Sequence, residues 1–296
     1  MHRKKRGIAA RMTCMPYSNA ESAVQVSFSP MTQPSAIRPL AVVTGASAGL
    51  GKAFAAQLAA RGFDLLLVAR DGARLAELGA ELSKRHGIVA EPFPCDLIKT
   101  DEVTRLCERL AADARVSVLV NNAGFGTKGK LANRPEREQL GMLDLHVQAA
   151  MRLTYAALPG MIQRTQGRII VVASVASFTA SPGNVNYCAT KAYQRVFCEG
   201  LAMELHGTGV AVQALCPGFT HTEFHDRAGI DKSVGIPAFM WLDADRVVRE
   251  SLDAIFGGGP VVIVPGKRYQ LIVLALRYLP QWVRRTLQGR YGKART

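Results

Sequence analysis

LAVVTGASAGLG, from Leu40 to Gly51, decides how the rest of the chain is read. Five residues from Leu40 to Thr44 form a short apolar run rich in Val and Leu, the pattern of a strand buried on both faces. Glycines follow at 45, 49 and 51, and a helical period then runs to Arg61. Glycines in a strand–turn–helix context permit a tight turn, let backbone N–H groups approach a pyrophosphate, and let the helix pack closely on the sheet. Ser47 and Leu50 share the turn and are expected to bind the same ligand. The spacing is Gly-x-x-x-Gly-x-Gly, which differs from the commoner Gly-x-Gly-x-x-Gly of dinucleotide sites.

Outward from this unit the alternation continues. DLLLVA, IVAEPF and VSVLVN are apolar runs separated by helical periods that end near Arg85 and Ala114. A long helical stretch from Glu136 to Gln163 leads to RIIVVAS, a further helix, VAVQALCP, a helix over Asp243–Phe256, and PVVIVP. Short Val/Leu/Ile runs alternating with helices predict βαβ units. The expected fold is α/β: one doubly wound, Rossmann-type domain with a mainly parallel sheet of seven strands, spanning residues 39–265.

Ligands of open α/β sheets bind beyond the carboxyl ends of the strands, so the residues there carry the functional reading. The second strand ends in Ala69-Arg70, where an NAD site would place an acidic residue for the ribose hydroxyl. A guanidinium at that point suits a 2′-phosphate, which favours NADP(H) and leaves NAD(H) open, since Asp71 follows. Asp96 follows the third strand, and Asn121-Asn122-Ala123-Gly124 ends the fourth. Ser174 ends the fifth strand, and Tyr187 and Lys191 lie four residues apart on the next helix. That spacing puts phenol and ammonium on one helix face. A phenol titrates near pH ~10, so acid/base work at neutral pH requires a downward shift of about three units, which a neighbouring cation favours.

With these pieces in order, the chain resembles the short-chain dehydrogenase/reductase family over roughly residues 38–265. The resemblance rests on Thr44-Gly45-x-x-x-Gly49-x-Gly51, Asp96, Asn121-Asn122-Ala123-Gly124, Ser174, Tyr187-x-x-x-Lys191 and Pro217-Gly218. It implies an oxidoreductase that interconverts a carbonyl and an alcohol, with Tyr187 as acid or base. Lys191 would lower the phenol pKa and hold the nicotinamide ribose, and Ser174 would bind the substrate oxygen. Gly45, Gly49 and Gly51 would line the pyrophosphate, Asp96 the adenine, and Asn122, with Ala123 and Gly124, the floor of the cofactor site. Pro217, Gly218 and Thr220 would meet the nicotinamide side, and Thr222–Pro237 would form a substrate lid. His146 stands where the family usually has an Asn that anchors a water relay behind the lysine. It reads either as a substitute in that relay or as a core histidine satisfying the backbone. If turnover had been lost, the same fold would serve as a cofactor-binding sensor or scaffold.

The net charge of +14 sits at the ends of the chain. Residues 1–38 carry six basic residues against Glu21, and residues 266–296 carry eight with no acid. A nearly neutral body argues against nucleic acid as a partner. Residues 1–38 are expected to be a disordered basic extension with no secretory signal, in which Met31 is an alternative start and an Arg-rich transit peptide the competing reading. From Tyr269 to Val283 the tail is apolar and then basic, too short to span a bilayer. It is read three ways: an interfacial helix in peripheral membrane contact, a cover for the substrate cleft, or a subunit contact. The six cysteines show no Cys-x-x-Cys pair or zinc spacing, so no metal is expected and a reducing, cytoplasmic location fits. The family resemblance suggests a homodimer or homotetramer acting on a small, apolar carbonyl or alcohol.

Overall fold

The computed structural model describes residues 38–223 and 237–278. Seven parallel strands lie in the order β3-β2-β1-β4-β5-β6-β7. They are β1 (Leu40–Thr44), β2 (Asp64–Ala69), β3 (Ala90–Pro94), β4 (Val116–Asn121), β5 (Gly167–Val172), β6 (Val210–Leu215) and β7 (Val262–Ile263). The predicted Rossmann-type sheet is therefore present. Every residue of β1 is buried, which is why its sequence is continuously apolar rather than alternating. The two edges are blunted: β3 carries Pro92 and Pro94, and β7 is two residues long.

Helices α1 (Gly49–Ala60), α2 (Gly72–His86) and α7 (Ala244–Phe256) pack on one face of the sheet around Phe54, Leu58, Leu75, Leu82, Val247 and Leu252. Helices α3 (Thr100–Ala112), α5 (Ala150–Gln163) and α6 (Val185–Glu204) pack on the other, around Leu106, Leu153, Met161 and Leu201. Helix α2 shows how locally these elements are encoded. Asp71 caps its first turn by accepting from the Arg74 N–H, Leu75, Leu78 and Leu82 line its buried face, and Gly87 closes it at φ 63°.

Three features depart from the predicted elements. The long helical stretch is α4 (Glu136–Leu143) joined to α5 through a π-helical turn at Asp144–Ala149. IVAEPF pairs only from Ala90, and of PVVIVP only Val262 and Ile263 join the sheet. The tail forms α8 (Lys267–Tyr278), whose Tyr269 and Val273 are buried. Residues 1–37, residues 224–236 of the predicted Thr222–Pro237 lid, and the tail beyond 278 lie outside the described residues. Among the described residues no helix is long and apolar enough to cross a membrane.

The chain order reverses between β1 and β4, which are neighbours in the sheet. At such a switch point the loops after the two strands diverge to opposite faces and leave a crevice. The glycine turn and Asn121–Gly124 form its two walls.

Candidate active site

At the crevice, Gly45 sits at φ 66°, and a Cβ there would stand 2.8 Å from the Asn122 Nδ2. A Cβ on Gly51 would stand 2.1 Å from the Gly45 carbonyl oxygen. The turn folds back on itself so closely that hydrogen alone fits at both positions. Ala48 supplies no side-chain cap to α1 and no acidic residue occupies its first turn, whereas Asp71 and Asp243 cap α2 and α7. The free N–H groups and positive dipole end of α1 therefore face the crevice, as binding a pyrophosphate requires.

Thr44 ties the two walls together. Its buried hydroxyl donates to the Val120 carbonyl and accepts from the N–H groups of Asn122 (2.9 Å) and Ala123 (3.0 Å). The Asn122 side chain reaches back and donates to the Thr44 carbonyl at 2.8 Å. Thr222, where the predicted lid begins, lies over the glycine turn, its Cβ 3.0 Å from the position of a Gly49 Cβ. Ser47 and Leu50 are half-buried beside it.

Arg70 is exposed at the end of β2. Asp71, its neighbour, is occupied as the cap of α2 and lies 3.5 Å from the Arg74 guanidinium. Arg74 also pairs with Glu223 at 3.3 Å. Asp96 is held within its own loop, its carboxylate accepting from the Ile98 N–H and its N–H donating to Glu102.

Beyond β5, Ser174 has extended backbone, and its hydroxyl accepts from the Ala176 N–H to cap a short 3-10 turn. The next residue, Val175, donates to the Pro217 carbonyl, which joins the Ser174 loop to the loop after β6. In that second loop the buried Thr220 hydroxyl donates to the Gly218 carbonyl. The ring of Tyr269, from α8, lies against Gly218, and its hydroxyl accepts from the Phe219 N–H and donates to the Met240 carbonyl. Neither the Thr44 hub nor the Tyr269 prop was legible beforehand, because a lone hydroxyl or phenol has no spacing to reveal it.

Tyr187 is half-buried on the first turn of α6, and Lys191 follows one turn later, 4% exposed, with its Nζ 5.7 Å from the Tyr187 ring centre. Lys191 donates to the Val172 carbonyl at 2.8 Å and to the Gln194 side-chain oxygen at 2.9 Å. Burial lowers its pKa to about 7, with a smaller opposing contribution from Cys216. Gly124 leaves room for this group: a Cβ there would stand 2.9 Å from His146 Nε2 and 3.7 Å from Lys191 Nζ.

His146 projects from the π-helical turn and is fully buried. Its Nε2 accepts from the Phe125 N–H at 3.1 Å, so Nδ1 carries the proton and faces Thr190 Oγ1 at 2.9 Å. The Thr190 hydroxyl donates in turn to the Tyr187 carbonyl. Burial, and then the charge of Lys191, hold the imidazole well below its ordinary pKa. Protonating Nε2 would set two donors against each other, so the ring stays neutral. Its edge meets the Tyr187 ring with the centres 5.9 Å apart.

Gln194 was also missed. Its signal was present, since α6 buries a stripe at 188, 191, 194, 198 and 201 and a Gln in that stripe requires partners. His221 stacks on Trp241 with the ring centres 5.0 Å apart.

Residues 39–232 match the model of the short chain dehydrogenase family. A very-long-chain 3-oxoacyl-CoA reductase from Coprinopsis cinerea is 36% identical over 239 residues, covering 80% of this chain and 70% of that protein. Nodulation protein G from Rhizobium sp. is 36% identical over 63% of this chain and 75% of its own length. Among solved structures, a short-chain dehydrogenase from Sphingobium yanoikuyae in complex with NADPH superposes with a TM-score of 0.74. It is 33% identical, and the match covers 82% of this chain and 97% of that one. Fold, motif order and sequence agree: this chain belongs to the short-chain dehydrogenase family of oxidoreductases.

Proposed function

We propose that the protein is an NADP-preferring oxidoreductase that interconverts a carbonyl and an alcohol on an apolar substrate. The observation that carries this reading is the placement of Tyr187 and the buried Lys191 one helical turn apart, beside Gly124 and the glycine turn. The crevice fits a dinucleotide: Gly45 and Gly51 leave a cradle that a Cβ would fill, and the N-terminus of α1 has no side-chain cap. Arg70 is the residue to meet a 2′-phosphate, because Asp71 is already engaged with α2.

The nicotinamide group, when bound, supplies the hydride. Tyr187 donates its phenolic proton to the substrate oxygen in reduction and recovers it in oxidation. Lys191 gives two of its N–H donors to the carbonyls of Val172 and Gln194, and the third can meet a ribose hydroxyl. As an ammonium it also favours the phenolate of Tyr187. Ser174 orients the substrate oxygen, and His146 braces the first turn of α6 through Thr190. The small cavity beside Tyr187 is lined by Leu131 and Val185 together with the polar Thr127, Gln139, Asn184 and Asn186, so the apolar reading of the substrate draws its support from similar proteins. Two similar proteins are named for bulky or long-chain carbonyls, the Coprinopsis reductase and a bulky-bulky ketone specific alcohol dehydrogenase from Comamonas testosteroni. Exposed Tyr155 and Met203 on the outer faces of α5 and α6 support a homo-oligomer.

Titration with NADPH and with NADH, followed by nicotinamide fluorescence, tests the cofactor. NADPH is expected to bind more tightly, and Arg70→Ala to weaken NADPH alone by about tenfold or more, the worth of a charge-assisted hydrogen bond. A screen of long-chain and bulky ketones, with Tyr187→Phe as the blank, then tests the chemistry. Binding of neither nucleotide would sink the enzyme reading.

A further inference from the structure

Gln194 is 2% exposed and joins helix α6 to the π-helical turn. Its Oε1 accepts from Lys191 Nζ at 2.9 Å, and its Nε2 donates to the His146 main-chain carbonyl at 2.8 Å. The orientation of the amide is forced. Lys191 offers only donors and a main-chain carbonyl only accepts, so the reversed amide would set donor against donor and oxygen against oxygen. The carbonyl it grips belongs to the π-helical turn, a departure from regular α-helix that re-aims the backbone groups of Asp144–Ala149. Lys191 and Gln194 are three residues apart on α6, so one face of that helix carries both ends of the contact.

We propose that Gln194 is a positioning residue for the active site, a strut that anchors the Lys191 ammonium to the π-helical turn by direct side-chain contact. The titratable groups around the lysine are Cys216 after β6, His146 on the π-helical turn and Tyr187 on its own helix. Burial raises the Cys216 thiol to about 11, and His146 is held neutral. The ammonium donates to two oriented carbonyl dipoles, those of Val172 and Gln194, and among the described residues no carboxylate is bonded to it. The strut spans, with one amide, the gap between the lysine and the helix in front of it. It accounts for His146 as well. With the ring committed to Phe125 and Thr190, it is the main chain of His146, not its side chain, that reaches the lysine.

This inference rests on the proposed role of Lys191 and is tested without cofactor or substrate. In protein labelled with [ε-13C]lysine, the Lys191 resonance is assigned by its loss in Lys191→Arg and titrated in wild type, Gln194→Leu and Gln194→Glu. Leu removes one stabilising dipole, so the Lys191 midpoint is expected to fall by about one pH unit, a tenfold loss of proton affinity. Glu keeps an oxygen acceptor and adds charge, so the midpoint is expected to rise by at least about as much. Opposite shifts of the two variants establish the strut. Should Gln194→Leu not fold, as judged by circular dichroism, the rise in Gln194→Glu alone decides. A Lys191 midpoint that is the same in every folded variant overturns the proposal. That result would leave the NADPH titration and the Tyr187→Phe blank free to stand or fall by themselves.

Discussion

Thr44 shows how much one side chain can hold. Its hydroxyl meets three main-chain groups at the point where β1 and β4 part, and two of them belong to the wall that faces the glycine turn. Thr44→Val keeps the shape and removes the bonds. Asn122 N–H retains the Val120 carbonyl, at 3.1 Å, but Ala123 N–H loses the acceptor that Thr44 provides. Burying an unsatisfied N–H costs about 1–3 kcal/mol. Urea unfolding of Thr44→Val should show a loss in that range, and Thr44→Ser should recover most of it. NADPH affinity should fall with Thr44→Val, because the Ala123 N–H would no longer be held against the turn. Equal stability of all three proteins would deny Thr44 this role.

At the scale of elements, the informative case is α8. It carries apolar residues around its whole circumference, a pattern that by itself does not say which face is covered. The packing picks out Tyr269 and Val273, and the Tyr269 ring comes to rest on Gly218. A Cβ at 218 would lie 2.0 Å from a ring carbon, so Gly218→Ala must push α8 or the loop after β6 aside. Overpacking of this kind costs about 1–3 kcal/mol. Since the conflict is with one ring, the cost should drop by more than half when Gly218→Ala is made in a Tyr269→Ala background. A double-mutant cycle on urea midpoints measures the coupling. Strict additivity would mean that the ring is not what confines Gly218, and that α8 does not brace the loop after β6.

For the whole molecule, pH reports on the end of the sheet opposite the crevice. Burial by itself would raise the Asp113 carboxyl, but hydrogen bonds from Arg115 and Arg109 outweigh it and hold the group well below the usual carboxylate range. Arg115 reaches on to Asp64 at the start of β2, so the cluster joins the α3–β4 connection to the sheet. A depressed carboxyl contributes stability that is complete above its unfolded pKa, near ~4, and is lost as pH falls through the folded value. Urea midpoints at pH 7 and pH 3 should therefore drop less in Asp113→Asn than in wild type. An identical acid loss in both proteins would show that other carboxylates carry it.

The local signals in this chain were strong, because each is decided within a few residues. Apolar runs bounded by turns predicted the strands, Asp71 and Gly87 bracket α2, and the glycine turn, Ser174, Tyr187 and Lys191 are recognisable together, through the family resemblance that their order and spacing carry. What the sequence by itself determined is the doubly wound sheet, the family and the list of residues at the carboxyl ends of the strands. What only the tertiary structure decided is which of these groups touch. The π-helical turn gave His146 its tautomer and its partners, Gln194 acquired the lysine, and Tyr269 found Gly218 across 51 residues of chain. These contacts join residues whose local sequence carries no mark of the partner, because a hydrogen bond or a packed ring depends on positions in space that only the assembled sheet brings within reach.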